Sequence, residues 1–132
     1  MCDSIVINGG NVSIQISGPC APAGPGYLEY VALLSQSGTD APVATVLKNT
    51  LGGTVVWTRL GSGSFQGALT GAFPINRTLL FAPYYLPKIV GDEIYGALTW
   101  QSADAVNVSI WDGGFSGIDG VASYPIEIRV YP

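Results

Sequence analysis

Ala105-Val106-Asn107-Val108-Ser109-Ile110-Trp111 carries the clearest fold signal in the chain. Val106, Val108 and Ile110 recur at every second position, so an extended strand puts them on one face. Asn107, Ser109 and Trp111 take the other face. The same alternation runs through Asn11-Val12-Ser13-Ile14-Gln15-Ile16-Ser17 and through Ile126-Glu127-Ile128-Arg129-Val130-Tyr131. Eighteen glycines and nine prolines punctuate the whole length, so no window supports a long helix.

Working outward, Glu93 to Trp100 pairs with this strand through Gln101-Ser102-Ala103-Asp104 as a predicted hairpin. Ile5-Val6-Ile7, the turn Asn8-Gly9-Gly10 and the strand after it predict an N-terminal hairpin. Residues 18–26 are Pro/Gly-rich and predict an extended connector. Tyr27 to Gln36 is apolar on both faces, the pattern of a strand covered on both sides. Val43 to Lys48 and Thr54 to Leu60 flank a turn at Asn49-Thr50-Leu51-Gly52-Gly53. Ser64 to Leu69 and Thr78 to Phe81 follow, then an aromatic loop with Pro83, Tyr84, Tyr85 and Pro87. Asp112 to Ser123 is a loop with four glycines. Ten or eleven short strands predict an all-β fold, an antiparallel β-sandwich or jelly roll with an N-terminal β-hairpin arm. Residues 1–26 form the arm and connector, and residues 27–132 the sandwich body.

Charged residues make up only 11% of the 132, against about 25% in an average domain. Five Lys and Arg against nine Asp and Glu leave a net charge of −4, so there is no basic footprint for nucleic acid. With so few charges, apolar surface has to stay outside, and large exposed apolar patches mark interfaces. The composition therefore predicts a homo-oligomer, with a monomer whose surface is Ser, Thr, Asn and Gly as the alternative. No apolar run approaches the roughly 18 residues of a membrane span. Met1 to Val6 has no basic region and no long apolar core, so synthesis in the cytoplasm without a secretory signal is expected.

The chain has no histidine, which removes the Ser-His-Asp triad and most zinc sites. Cys2 and Cys20 match no metal spacing; they either bridge the N-terminal segment or stay free thiols. Gly61-Ser62-Gly63-Ser64-Phe65-Gln66-Gly67 has neither the spacing nor the following helix of a phosphate loop and reads as a hairpin turn. Asp112 and Asp119 share a glycine-rich loop, but their spacing matches no calcium motif, so no metal is expected. Asp92 and Glu93 are adjacent and point to opposite faces of a strand, unlike the converging acid pair of a glycosidase. No cofactor and no enzymatic activity are expected.

The aromatic residues are the candidates for binding. Trp111 shares a face with Asn107 and Ser109, and an indole on a polar face is either a sugar-stacking platform or an interface anchor. Tyr84 and Tyr85 sit in a Pro-flanked loop where side chains point outward. Trp100 shares parity with Ile94 and Leu98 and is expected in the core, while the parity of Trp57 is ambiguous. Glu127, Arg129 and Tyr131 form one face of the last strand, solvated or in contact with another subunit.

Two segments, residues 47–59 (LKNTLGGTVVWTR) and 125–131 (PIEIRVY), carry a resemblance, supported by residues 32–39 and 67–73. They resemble small virion-associated proteins of tailed bacteriophages, over roughly residues 30–131. The resemblance implies a structural protein located in the virion and brings no catalytic residues. The expected function is a non-enzymatic, trimeric capsid decoration or head or tail fibre component, attached to other virion proteins through residues 1–26. A carbohydrate-binding module that uses Trp111, Tyr84 and Tyr85, directed at a host surface glycan, is the alternative.

Overall fold

The computed structural model describes residues 26–86 and 93–132 in full and the backbone of residues 3–8 and 11–16. Eleven strands run in order: β1 (Asp3–Asn8), β2 (Asn11–Ile16), β3 (Leu28–Ser35), β4 (Val43–Asn49), β5 (Val56–Gly61) and β6 (Ser64–Ala68), then β7 (Thr78–Phe81), β8 (Tyr85–Leu86), β9 (Ile94–Ser102), β10 (Ala105–Asp112) and β11 (Tyr124–Val130). Cys2, Cys20, the turn glycines 9 and 10, and the connector up to residue 25 lie outside the described residues. β1 and β2 pair antiparallel from Asp3 opposite Ile16 to Asn8 opposite Asn11, as a two-stranded sheet of their own.

The other nine strands form an antiparallel β-sandwich. One sheet has the order β5-β6-β10-β9-β8 and the other β4-β3-β11-β7. Period-two alternation decides which side chains go between them. Val106, Val108 and Ile110 of β10 face Tyr30, Ala32 and Leu34 of β3 and Ile126 and Ile128 of β11 in one buried cluster. Tyr30, Tyr124, Phe65 and Phe73 are completely buried. Each contributes about 1.5–3 kcal/mol relative to an exposed ring. The turn at Asn49–Gly53 carries the chain from β4 in one sheet to β5 in the other. Asn49 shapes it by donating from Nδ2 to the Gly53 carbonyl (2.7 Å) and accepting from the Leu51 amide (3.0 Å).

Two glycines make room for the largest core rings. Trp57 lies directly opposite Gly67 in the β5–β6 ladder, and a Cβ on Gly67 would sit 2.8 Å from its ring. The Trp57 indole N–H donates to the Tyr30 hydroxyl (3.2 Å), joining the two sheets through the core. Tyr124 of β11 reaches across to β9, where a Cβ on Gly96 would stand 2.6 Å from its hydroxyl. That hydroxyl donates to the Pro83 carbonyl at 2.8 Å.

Three expectations need correction. Trp100 has core parity, since it lies opposite Val106, but it is 39% exposed. It sits at the end of β9, beside the bulge at Ala105/Val106, where its indole N–H donates to the Phe73 carbonyl (2.8 Å). The strand at Tyr27–Gln36 is covered on one face only: Tyr30, Ala32 and Leu34 are buried while Val31 and Leu33 are partly open. The aromatic loop contains a short strand, with Tyr85 and Leu86 paired to Tyr95 and Ile94.

Gly67→Ala forces the added methyl into the packed Trp57 ring and costs about 1–3 kcal/mol, seen as a lower urea midpoint at unchanged slope. Burial pushes the Tyr124 pKa up from 10.0 to about 12. The folded chain therefore keeps this proton where the unfolded chain has lost it. The stabilisation is complete below pH ~10 and is lost as pH rises toward ~12, a change of about 2–3 kcal/mol. Urea denaturation of Tyr124→Phe between those pH values shows an alkaline loss smaller by that amount. Tyr30, also raised by burial, keeps the remainder.

Candidate functional site

Strand register builds an aromatic row on the outer face of the five-stranded sheet. Tyr85 on β8 lies opposite Tyr95 on β9, and Tyr95 lies opposite Trp111 on β10. Residues directly opposite in a ladder share a face. Ring centroids are 6.0 Å apart for Tyr85–Tyr95, edge-on, and 6.2 Å for Tyr95–Trp111, nearly parallel at 19°. Tyr84 joins from the preceding loop, 5.3 Å from Tyr95 and 6.0 Å from Trp111. Tyr84 is 62% and Tyr85 51% exposed, and Trp111 and Tyr95 are half-buried.

The row thus unites all three residues singled out in the sequence and adds a fourth, Tyr95, at its centre. Parity on the Glu93–Trp100 strand already put Tyr95 opposite to Ile94. Only the register shows that it meets Trp111 on one side and Tyr85 on the other. The Tyr95 hydroxyl donates to the Glu93 carboxylate (2.6 Å), and this bond is the main reason its pKa is raised. The Tyr84 carbonyl accepts from the Gly96 amide (2.9 Å), while Tyr124 holds the neighbouring Pro83 carbonyl.

Beyond the aromatics the face turns polar. Thr99, Asn107, Gln66 and Thr58 line up across β9, β10, β6 and β5, with Ser109 opposite Ser64 one step along. Asn107 donates from Nδ2 to Gln101 Oε1 (3.0 Å). Asn107 Oδ1 is buried without a hydrogen-bond partner among the described residues. These positions carry neutral donors and acceptors and no charge.

The glycine-rich loop after β10 uses its carboxylates internally. Asp112 Oδ1 accepts from the Gly114 and Ser116 amides, each at 2.9 Å. Asp119 binds Arg59 through two bonds, 3.0 and 2.7 Å, and accepts from the Gly63 amide at 3.3 Å. Gly63 has φ +64° and lies where any Cβ would collide with the Ile110 carbonyl. Gln36, which sequence reasoning left without a role, is buried and fixes the loop's far end: its Oε1 accepts from the Gly120 amide (2.8 Å). Among the described residues no three His, Cys, Asp or Glu side chains come together as a metal site, and no helix is long and apolar enough to cross a membrane. A hollow of about 620 Å³ bounded by Tyr27, Leu51, Pro74, Arg77 and Tyr131 shares no residue with the aromatic row.

Arg59 holds the Asp119 carboxyl below its ordinary 3.8. The ion pair therefore persists above that range and breaks as pH falls through the lowered pKa. The Gly63 amide proton shift, followed by NMR, titrates with a midpoint below 3.8 in the wild type. Arg59→Ala moves this midpoint up and speeds chymotryptic cleavage after Phe115, which is 86% exposed in the loop.

In comparisons with family models, with curated proteins and with solved structures, nothing matches this chain.

Proposed function

We propose that this chain is a non-enzymatic structural subunit of a bacteriophage virion, a capsid decoration or a head or tail fibre component, that assembles as a homotrimer. The observation that carries the reading is the outer face of the four-stranded sheet. By register, Thr45, Leu33 and Pro125 line up across β4, β3 and β11, with Val43 opposite Ser35 two residues along the same face; Val31, Glu127 and Phe81 form the next row, and Leu79 lies opposite Arg129. Val43 is 70% exposed, and Leu79 and Phe81 are also open to solvent. A depression of about 490 Å³ runs between Val31, Phe81, Pro83 and Pro125.

The charges on this face are already matched. Lys48 pairs with Glu29, and Arg129 pairs with Glu127 at 2.6 Å. The Arg129 guanidinium also lies over the Phe81 and Tyr27 rings, at 4.8 and 5.1 Å. A face of aliphatic side chains with closed ion pairs leaves no single charge for a partner to neutralise, so it suits a second copy of an equally charge-poor chain. The β4 edge, with Val46 and Leu47 exposed, adds an open pairing template. The β1–β2 hairpin supports the arm reading, since a lone two-stranded sheet is marginal in water and gains by adding to a partner's sheet. The resemblance of residues 30–131 supports the virion.

Light scattering on the purified chain is expected to give three times the 13.7 kDa chain mass. Leu79→Lys with Phe81→Glu returns the mass to that of one chain with an unchanged circular dichroism spectrum. A monomeric wild type overturns the oligomer. Deleting residues 1–26 leaves the oligomer intact and stops its incorporation into particles; incorporation at wild-type occupancy overturns the arm.

A further inference from the structure

We infer that the outer face of the five-stranded sheet is a binding site for a neutral saccharide, with Trp111, Tyr95, Tyr84 and Tyr85 as stacking platforms. Asn107 and Gln101 are its central hydrogen-bonding groups. The first argument is the contrast between the sandwich's two outer faces. The four-stranded sheet presents Val31, Leu33, Leu79, Phe81 and Pro125. The five-stranded sheet presents four large rings and then amides and hydroxyls, with Val56 and Leu60 exposed along its β5 edge strand. An aliphatic face is matched by another aliphatic face. Flat rings beside neutral polar groups are matched by a ligand with apolar ring faces and hydroxyl rims, which describes a pyranose.

The second argument is charge. Every sugar hydroxyl is both donor and acceptor, and so is every amide side chain taken as a whole. Thr58, Gln66, Asn107, Thr99, Ser64 and Ser109 supply such groups without a cation. Glu93, at the end of the row, is engaged by the Tyr95 hydroxyl, and the chain as a whole carries −4. Among the described residues of this face a carboxylated or sulfated glycan finds no counter-charge, which favours a neutral ligand.

The third argument is preorganisation. Tyr84 is held by its own carbonyl on the Gly96 amide, and the residue before it by Tyr124. Tyr95 is tied to Glu93, and Trp111 is bridged through its backbone to Gly117 in the glycine-rich loop. Rings fixed before the ligand arrives lose little freedom on binding. Three rings in steps of 6.0 and 6.2 Å make a platform longer than one sugar.

The test titrates the full chain with neutral hexasaccharides of glucose, mannose and N-acetylglucosamine, and with hexagalacturonate as the acidic control. Tryptophan fluorescence and calorimetry follow binding. At least one neutral hexasaccharide is expected to bind with a millimolar or tighter Kd, and the acidic one more weakly. Trp111→Ala and Tyr84→Ala each reduce affinity by about tenfold or more. Asn107→Ala reduces it by a smaller factor. Solution mass and circular dichroism stay at wild-type values. Absence of binding to every neutral hexasaccharide at millimolar concentration overturns the site, as does unchanged affinity in the Trp111→Ala/Tyr84→Ala double variant. Dissociation of the oligomer by Trp111→Ala also overturns it, since the face is then a subunit contact. Leu79→Lys with Phe81→Glu leaves saccharide affinity per chain unchanged, which separates this site from the assembly face.

Discussion

The hydrogen bond from the Tyr124 hydroxyl to the Pro83 carbonyl, 2.8 Å long, ties the sandwich together beneath the aromatic row. Tyr124 begins β11 in one sheet and is completely buried, yet its hydroxyl ends beside Gly96 in the other sheet. The missing Cβ of Gly96 is the reason the ring can pass. Gly96 then uses its own amide to hold the Tyr84 carbonyl. One buried phenol and one glycine thus fix the segment that delivers Tyr84 and Tyr85 to the aromatic row. A buried phenol without that acceptor would leave an unsatisfied donor in the core, a cost of about 1–3 kcal/mol. The residue that closes the core is therefore also the one that holds the aromatic face, and the two properties cannot be altered separately.

Scarcity of charge shapes the rest of the surface. Arg59–Asp119, Lys48–Glu29 and Arg129–Glu127 take up three of the five cations. Arg59 lies on the core-facing side of β5, and its bond to Asp119 holds the glycine-rich loop against the β5–β6 turn. The other two pairs lie on the outer face of the four-stranded sheet, where they interrupt an otherwise aliphatic surface without leaving net charge. Exposed ion pairs add little stability. Here they set the character of a surface, making it coverable by a partner that offers no charge of its own.

Much of the architecture was legible because alternation is local. The Val106/Val108/Ile110 stripe, the β9–β10 hairpin, the β5–β6 turn and the last strand all read correctly, since each needs only neighbouring residues and a turn signal. Tertiary placement was not legible. Trp100 has core parity, but parity cannot say that the opposing sheet no longer covers the end of β9. Tyr27 to Gln36 is apolar on both faces, yet only one face meets the other sheet, and alternation alone cannot say which. Tyr95 escaped notice for the same reason: its role depends on lying between β8 and β10, a fact of sheet order. Trp111, Tyr84 and Tyr85 could be picked out individually because indole on a polar face and tyrosine between prolines are local oddities.

The two outer faces follow from one rule applied to different strand compositions. Each strand has a parity for the core and a parity for the outside, and the core parities are filled alike in both sheets. The outer parities are where the sequence is free, and there the sheets diverge: apolar in β3 (Val31, Leu33) and β7 (Leu79, Phe81) around the Glu127–Arg129 pair of β11, aromatic and amide in β8, β9 and β10. A one-residue slip of β10 would bury Asn107 and Ser109 and turn Val106, Val108 and Ile110 outward. Core and outer face therefore share one register, and the Gly63 amide on Asp119, the Ile110 amide on the Gly63 carbonyl (2.7 Å) and Gly96 beneath Tyr124 all act to hold it. A strand that must satisfy two faces at once tolerates little drift on either, which is why glycines, and not larger residues, occupy the places where its neighbours approach.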